Sequence, residues 1–112
     1  MSVSTALPNE KKMTVIFRME PGSLGPDGLQ YIDEFCIFAQ TQLQACAAYY
    51  LNFFIEARID KTLPEMSFVL ANKSLNQTQV EKYLALFDED YAHFEDQLET
   101  NLEAIVDQFF GR

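Results

Sequence analysis

"AYYLNFFIEARID", residues 48–60, is the stretch on which the fold class turns. Phe53, Ile55, Ala57 and Ile59 alternate with Phe54, Glu56, Arg58 and Asp60, and aromatic and β-branched residues dominate. Such alternation suits a pleated, half-buried strand, here over about 50–59. The rival reading carries the preceding helix on through Ala57 and leaves the protein nearly all-α.

Upstream, Leu29, Ile32, Cys36, Ala39, Leu43 and Cys46 recur at three-four spacing, with Tyr31, Phe35 and Phe38 widening the stripe. This predicts an amphipathic helix from about 27 to 46, with Asp27 as its N-cap. Before it lies the turn cluster "PGSLGPDG" (21–28). Before that, "KMTVIFRME" (12–20) alternates Met13, Val15, Phe17 and Met19 with Thr14, Ile16, Arg18 and Glu20, which predicts a strand. Residues 1–11 show no periodicity and are expected to form a flexible tail.

Downstream, "KTLP" (61–64) breaks the chain and "EMSFVLANKS" (65–74) alternates again. It predicts a third strand, antiparallel to the second because the connection is short, with a turn at Asn72-Lys73. "LNQTQVEKYLALF" (75–87) reads as a helix capped by Asn76 or Thr78, with Val80, Tyr83, Leu84 and Phe87 as its inner row. The last helix starts near Asp88, where Tyr91, Phe94, Leu98, Leu102, Ile105 and Phe109 keep helical spacing, and Gly111 stands at its C-terminal cap. The expected fold is α+β, a small three-stranded antiparallel or mixed sheet packed by three helices in the order β-α-β-β-α-α. Residues 12–112 are expected to form a single globular domain.

The chain carries 17 acids against 8 bases, a formal net charge of −9. Such a balance disfavours direct binding of nucleic acid and of anionic membranes, and favours basic partners. Cys36 and Cys46 lie ten residues apart on the predicted helix, roughly 15 Å, too far for a disulfide. They are read as buried thiols of a reducing compartment. "MSVSTALPNEKK" (1–12) has no signal-peptide h-region, and no apolar run reaches the length of a membrane span. A cytoplasmic protein is expected.

The most unusual stretch is "FDEDYAHFEDQLETNLEAIVDQFFG" (87–111), with eight acids and neither lysine nor arginine. Asp88, Glu89 and Asp90 are expected in the first helical turn, where carboxylates complement the helix dipole. Glu95, Glu99 and Glu103 repeat at i, i+4 and i+8, so they stack in one row, flanked by Asp96 and Asp107. Like charges so spaced cost roughly 0.2–0.5 kcal/mol per pair. A solvated helix face usually mixes signs. A docking surface for a basic partner explains a one-signed row, and a plainly solvated acidic face is the simpler alternative. Arg18 or Arg58 could neutralise part of it.

"YYLNFF" (49–54) packs four aromatics into six residues. A strand points Tyr49, Leu51 and Phe53 one way and Tyr50 and Phe54 the other. The surplus face suits a homodimer interface, or an apolar pocket lined by Tyr31, Phe35, Tyr50, Phe54 and Phe68 that would favour cationic amphiphiles.

No catalytic constellation emerges. His93 is the only histidine, so a histidine-pair metal site cannot form. "DEDYAHFEDQLE" (88–99) mimics a calcium loop, but His93 replaces the glycine required at position 6 and helical spacing runs straight through it. "GSLGPDG" (22–28) lacks the lysine of a phosphate loop. No cofactor is expected, and an enzyme is the least favoured class. The sequence reading is therefore a small acidic interaction or regulatory module, with a small-ligand binding domain as the alternative.

Overall fold

The computed structural model describes residues 7–112. It is α+β, with three α-helices and a four-stranded mixed sheet: β1 (Met13–Met19), α1 (Gly28–Cys46), β2 (Leu51–Ala57), β3 (Met66–Leu70), β4 (Lys73–Ser74), α2 (Gln77–Ala85) and α3 (Tyr91–Phe109). Of the expected tail, residues 1–6 lie outside the described residues, and Asn9–Lys11 form a 3-10 turn. The chain clusters into two compact units, Met1–Ser74 and Leu75–Arg112.

In the first unit, the deciding stretch is a strand. The backbone leaves helical geometry at Ala47 (φ −68°, ψ 144°) and β2 follows. Neither Gly nor Pro marks that boundary. The run of aromatic and β-branched residues after it wins over helix propagation because sheet pairing buries them. The strand order is β2-β1-β3-β4. β1 pairs with β2 in parallel, Met13 opposite Leu51 and Val15 opposite Phe53, and with β3 antiparallel, Val15 opposite Phe68. Hence β3 runs antiparallel to β2, as the short connection predicts, but pairs with β1 instead of with β2. Residues 58–65 are long enough to cross β1, whose alternation of buried residues seats it between the two.

The fourth strand was not foreseen. Ala71 and Asn72 both have positive φ (52° and 67°), so they form a two-residue hairpin loop that folds Lys73–Ser74 back onto Leu70 and Val69. Positive φ at both loop positions is the twist that tight hairpins need. The turn therefore falls one residue earlier than Asn72-Lys73.

Register places Met13, Val15, Phe17, Leu51, Phe53, Ile55 and Phe68 on one face, and all are buried. α1 packs along β2 and buries Ile32, Phe35, Cys36, Ala39 and Leu43. Its start is fixed by contact rather than by capping. The Asp27 side chain makes no cap hydrogen bond, while a Cβ on Gly28 would lie 1.7 Å from the Pro21 carbonyl oxygen. Only glycine permits the 3-10 turn Pro21–Leu24 to sit so close to the helix.

In the second unit, α2 opens on a full capping box between Asn76 and Gln79. α2 buries Val80, Tyr83 and Leu84; α3 buries Phe94, Leu98, Leu102 and Ile105. Both helices end alike. The Glu89 N–H reaches the Leu84 carbonyl and the Asp88 N–H reaches Ala85, while Arg112 N–H reaches Asp107 and Gly111 N–H reaches Gln108. These are Schellman closures, each needing a left-handed residue, supplied by Asp88 (φ 59°) and Gly111 (φ 73°).

Candidate functional site

The acidic surface rests on α3. This helix begins at Tyr91 with Asp90 as N-cap, whose side chain accepts the His93 N–H. Asp88, Glu89 and Asp90 thus precede the first turn instead of lying in it. Asp88 closes α2, Asp90 caps α3, and Glu89 accepts the Asp90 N–H while both its oxygens lie 2.8 and 3.0 Å from His93 Nδ1. This hydrogen bond, with the carboxylate charge, raises the His93 pKa above its ordinary value. Three of the eight acids therefore have structural work at a helix junction. The stretch that mimics a calcium loop is helical from Tyr91 onward.

The other five are distributed differently. Glu95, Asp96, Glu99, Glu103 and Asp107 are all exposed. At 3.6 residues per turn they fall within an arc of about 120° and extend along about 18 Å of helix. The buried row of Phe94, Leu98, Leu102 and Ile105 fixes the helix's rotation, so the acidic arc is held outward. Asp107 lies 3.9 Å from Arg112, which also stands over the Phe110 ring at 5.1 Å. Among the described residues, no base forms an ion pair with Glu95, Asp96, Glu99 or Glu103.

Both arginines of the first unit, Arg18 and Arg58, are paired with carboxylates of that unit. Arg18 was read as an outer strand position, yet it is only 8% exposed. Its Nε donates to Glu56 at 2.8 Å, and its Nη1 donates to the Pro64 carbonyl at 2.9 Å and to Ser67 Oγ at 2.8 Å. It thereby ties β1 to β2, to β3 and to the crossing connection. Arg58 pairs with Glu20 at 3.3 Å, and Lys61 also bonds Glu20. Lys61 first, and then Arg58, hold the Glu20 carboxyl below its usual range. The charge is therefore asymmetric between the units. Residues Met1–Ser74 hold eight acids and six bases, net −2, and Leu75–Arg112 hold nine acids and two bases, net −7.

The five aromatic candidates do not line one cavity. Phe35, Tyr50 and Phe68 are buried, Tyr31 is half-buried, and Phe54 is 49% exposed. Phe54 pairs with Ile16, and Phe68 with Val15, so the two phenylalanines lie on opposite faces of the sheet. An open groove of about 320 Å³ occurs elsewhere in the first unit, between Glu20, Pro21, Gly25, Pro26, Leu29 and Lys61. The turn-cluster composition signalled a loop there but gave no sign of a cavity.

Cys36 is buried, and burial raises its thiol pKa to about 11. Cys46, expected to be buried, is exposed at the last turn of α1. No helix among the described residues is long and apolar enough to cross a membrane. No family model matches the chain, and no curated protein or solved structure matches it.

Proposed function

We propose that the protein is a small acidic interaction module, acting in the cytoplasm, that docks a basic protein on the outward arc of α3. The observation that carries this reading is the exposed row Glu95, Asp96, Glu99 and Glu103, left without a counter-charge while every arginine of the first unit is engaged there. Repulsion along the row destabilises the free helix, and a cationic partner relieves it on binding. Such a surface steers encounter and makes association salt-dependent. Glu95, Glu99 and Glu103 would be the principal contacts, with Asp96 and Asp107 at the margins. The experiment is a charge reversal. The triple variant Glu95→Lys, Glu99→Lys, Glu103→Lys should stay folded by circular dichroism and no longer hold a basic protein that the wild type retains at low salt. Unchanged retention by the folded variant overturns the proposal.

Self-association is a second reading, favoured by Phe54, which stands half-exposed beside Ile16 on the sheet face opposite the buried row. A concentration-dependent mass in solution that Phe54→Ser abolishes would support it. The ligand-pocket reading has less support, because its aromatics divide between two faces.

A further inference from the structure

β2 ends the sheet on one side, so one row of its backbone groups faces away from β1. An edge of this kind is a template for pairing with another strand. Its sequence, LNFFIEA, is rich in aromatic and β-branched residues and contains no lysine or proline. These are the features of a strand prone to add a second copy of itself. The opposite edge is blunted in two ordinary ways, since β4 is only two residues long and carries Lys73. β2 is seven residues long and has neither protection.

Several outward groups of β2, in its N-terminal and central part, are nevertheless occupied. The Gln40 side chain accepts the Ile55 N–H at 2.8 Å through Oε1 and donates through Nε2 to the Phe53 carbonyl. Gln44 Oε1 accepts the Phe53 N–H at 2.9 Å. The Leu51 N–H turns back to the Ala48 carbonyl at 3.0 Å. A primary amide has the donor and acceptor of a peptide group. Gln40 therefore meets the carbonyl of one strand residue and the N–H of the second residue along, as a neighbouring strand would. Gln40 and Gln44 are one turn apart, so both reach the same edge from α1. Leu at either position offers no polar group, and Glu at position 40 offers no donor for the Phe53 carbonyl, so neither could make this set of bonds.

We propose that Gln40 and Gln44 form an amide lock that closes the β2 edge against antiparallel pairing with β2 of a second copy. The lock is independent of the acidic arc and would hold even if that arc binds nothing. The test compares wild type, Gln40→Ala/Gln44→Ala, and a control, Gln42→Ala, whose side chain makes no hydrogen bond among the described residues. Alanine retains helix propensity, so the change is confined to the edge. Amide hydrogen exchange in the wild type should show Phe53 and Ile55 protected. In the double variant their exchange should quicken by roughly tenfold at low protein concentration. As concentration rises, the double variant should grow beyond the wild-type mass in light scattering and regain protection at those two amides. The control should match the wild type. If the double variant fails to fold, Gln44→Ala alone, which frees only the Phe53 N–H, must show the same growth to a smaller extent. Unprotected Phe53 and Ile55 amides in the wild type, or a folded edge variant that keeps the wild-type mass at every concentration, would overturn the proposal.

Discussion

The two compact units of this chain use charge in opposite ways. Up to Ser74, carboxylates and bases are nearly balanced, and the key cations are fixed: Arg18 among Glu56, Pro64 and Ser67, and Arg58 with Lys61 on Glu20. From Leu75 on, seven of the nine net negative charges accumulate, and the largest group of them faces solvent from one helix. In the first unit a charge is part of the packing. In the second, only Asp88, Glu89 and Asp90 serve the helix junction, and the acids further along α3 are charge that the structure does not use. The difference separates residues whose loss should unfold the protein from residues whose loss should leave it folded and silent.

The sharpest contrast is the sign of a stability change when charge is altered in each unit. Arg18→Ala removes a buried guanidinium, strips part-buried hydrogen bonds from the Pro64 carbonyl and the Ser67 hydroxyl and leaves Glu56 unpaired, so it should cost about 2–3 kcal/mol in chemical denaturation. Partial exposure of Glu56 keeps the loss below that of a fully buried pair. An unchanged unfolding midpoint would break the comparison on its structural side. The next effect falls at the helix junction. Asp88→Gly relieves a left-handed backbone position that Gly111 already fills in the equivalent closure, and should stabilise by about 1 kcal/mol in thermal unfolding. A loss of stability would mean that the Asp88 carboxylate is needed in its own right.

Glu99→Lys should be smaller and opposite to Arg18→Ala. It turns two repulsive i, i+4 pairs, with Glu95 and Glu103, into attractive ones, a gain of roughly 0.5–1 kcal/mol that shrinks with added salt. A gain in stability together with weaker docking would mark the row as functional at the expense of the fold. The smallest effect is pH-dependent. Glu89 raises the His93 pKa, so the folded state holds that proton more tightly than the unfolded chain. The stabilisation is complete below the ordinary histidine pKa of about 6.5 and fades as pH rises through the raised value. The stability difference between wild type and His93→Gln should therefore be larger at about pH 5.5 than at about pH 8.5. A difference independent of pH would remove the Glu89–His93 pair from the junction.

What could be read in the sequence followed from periodicity. The alternation of residues 50–59 and of 12–20 marked β2 and β1, and the three-four spacings marked all three helices within a few residues. Pairing was less legible, because nothing local tells β3 to join β1 instead of its neighbour in sequence. β4 was missed because its hairpin turns on Ala71-Asn72 and has no glycine to announce the positive φ. Arg18 was misplaced because strand alternation assigns a face without showing what else covers it. The start of α3 was drawn too early because Asp88, Glu89 and Asp90 suit a first helical turn as well as they suit a junction and cap. The exposed arc was legible, since its rotation is fixed by the apolar row beside it. The glutamines on the β2 edge were not, because an amide on a polar helix stripe looks the same whether it meets water or a strand.

The central claim is that the arrangement of the acids on α3, rather than the net charge of −9, makes a recognition surface. The direct measurement is capture of basic proteins from a cell lysate at low and high salt by three folded baits. They are the wild type, Glu95→Lys/Glu99→Lys/Glu103→Lys, and the charge-matched Asp33→Lys/Glu34→Lys/Glu65→Lys, whose substitutions fall on exposed acids of the first unit. The account predicts one stoichiometric basic protein held at low salt by the wild type and the first-unit variant, released at high salt, and absent from the α3 variant. Equal loss from both variants, or equal retention by both, would contradict it.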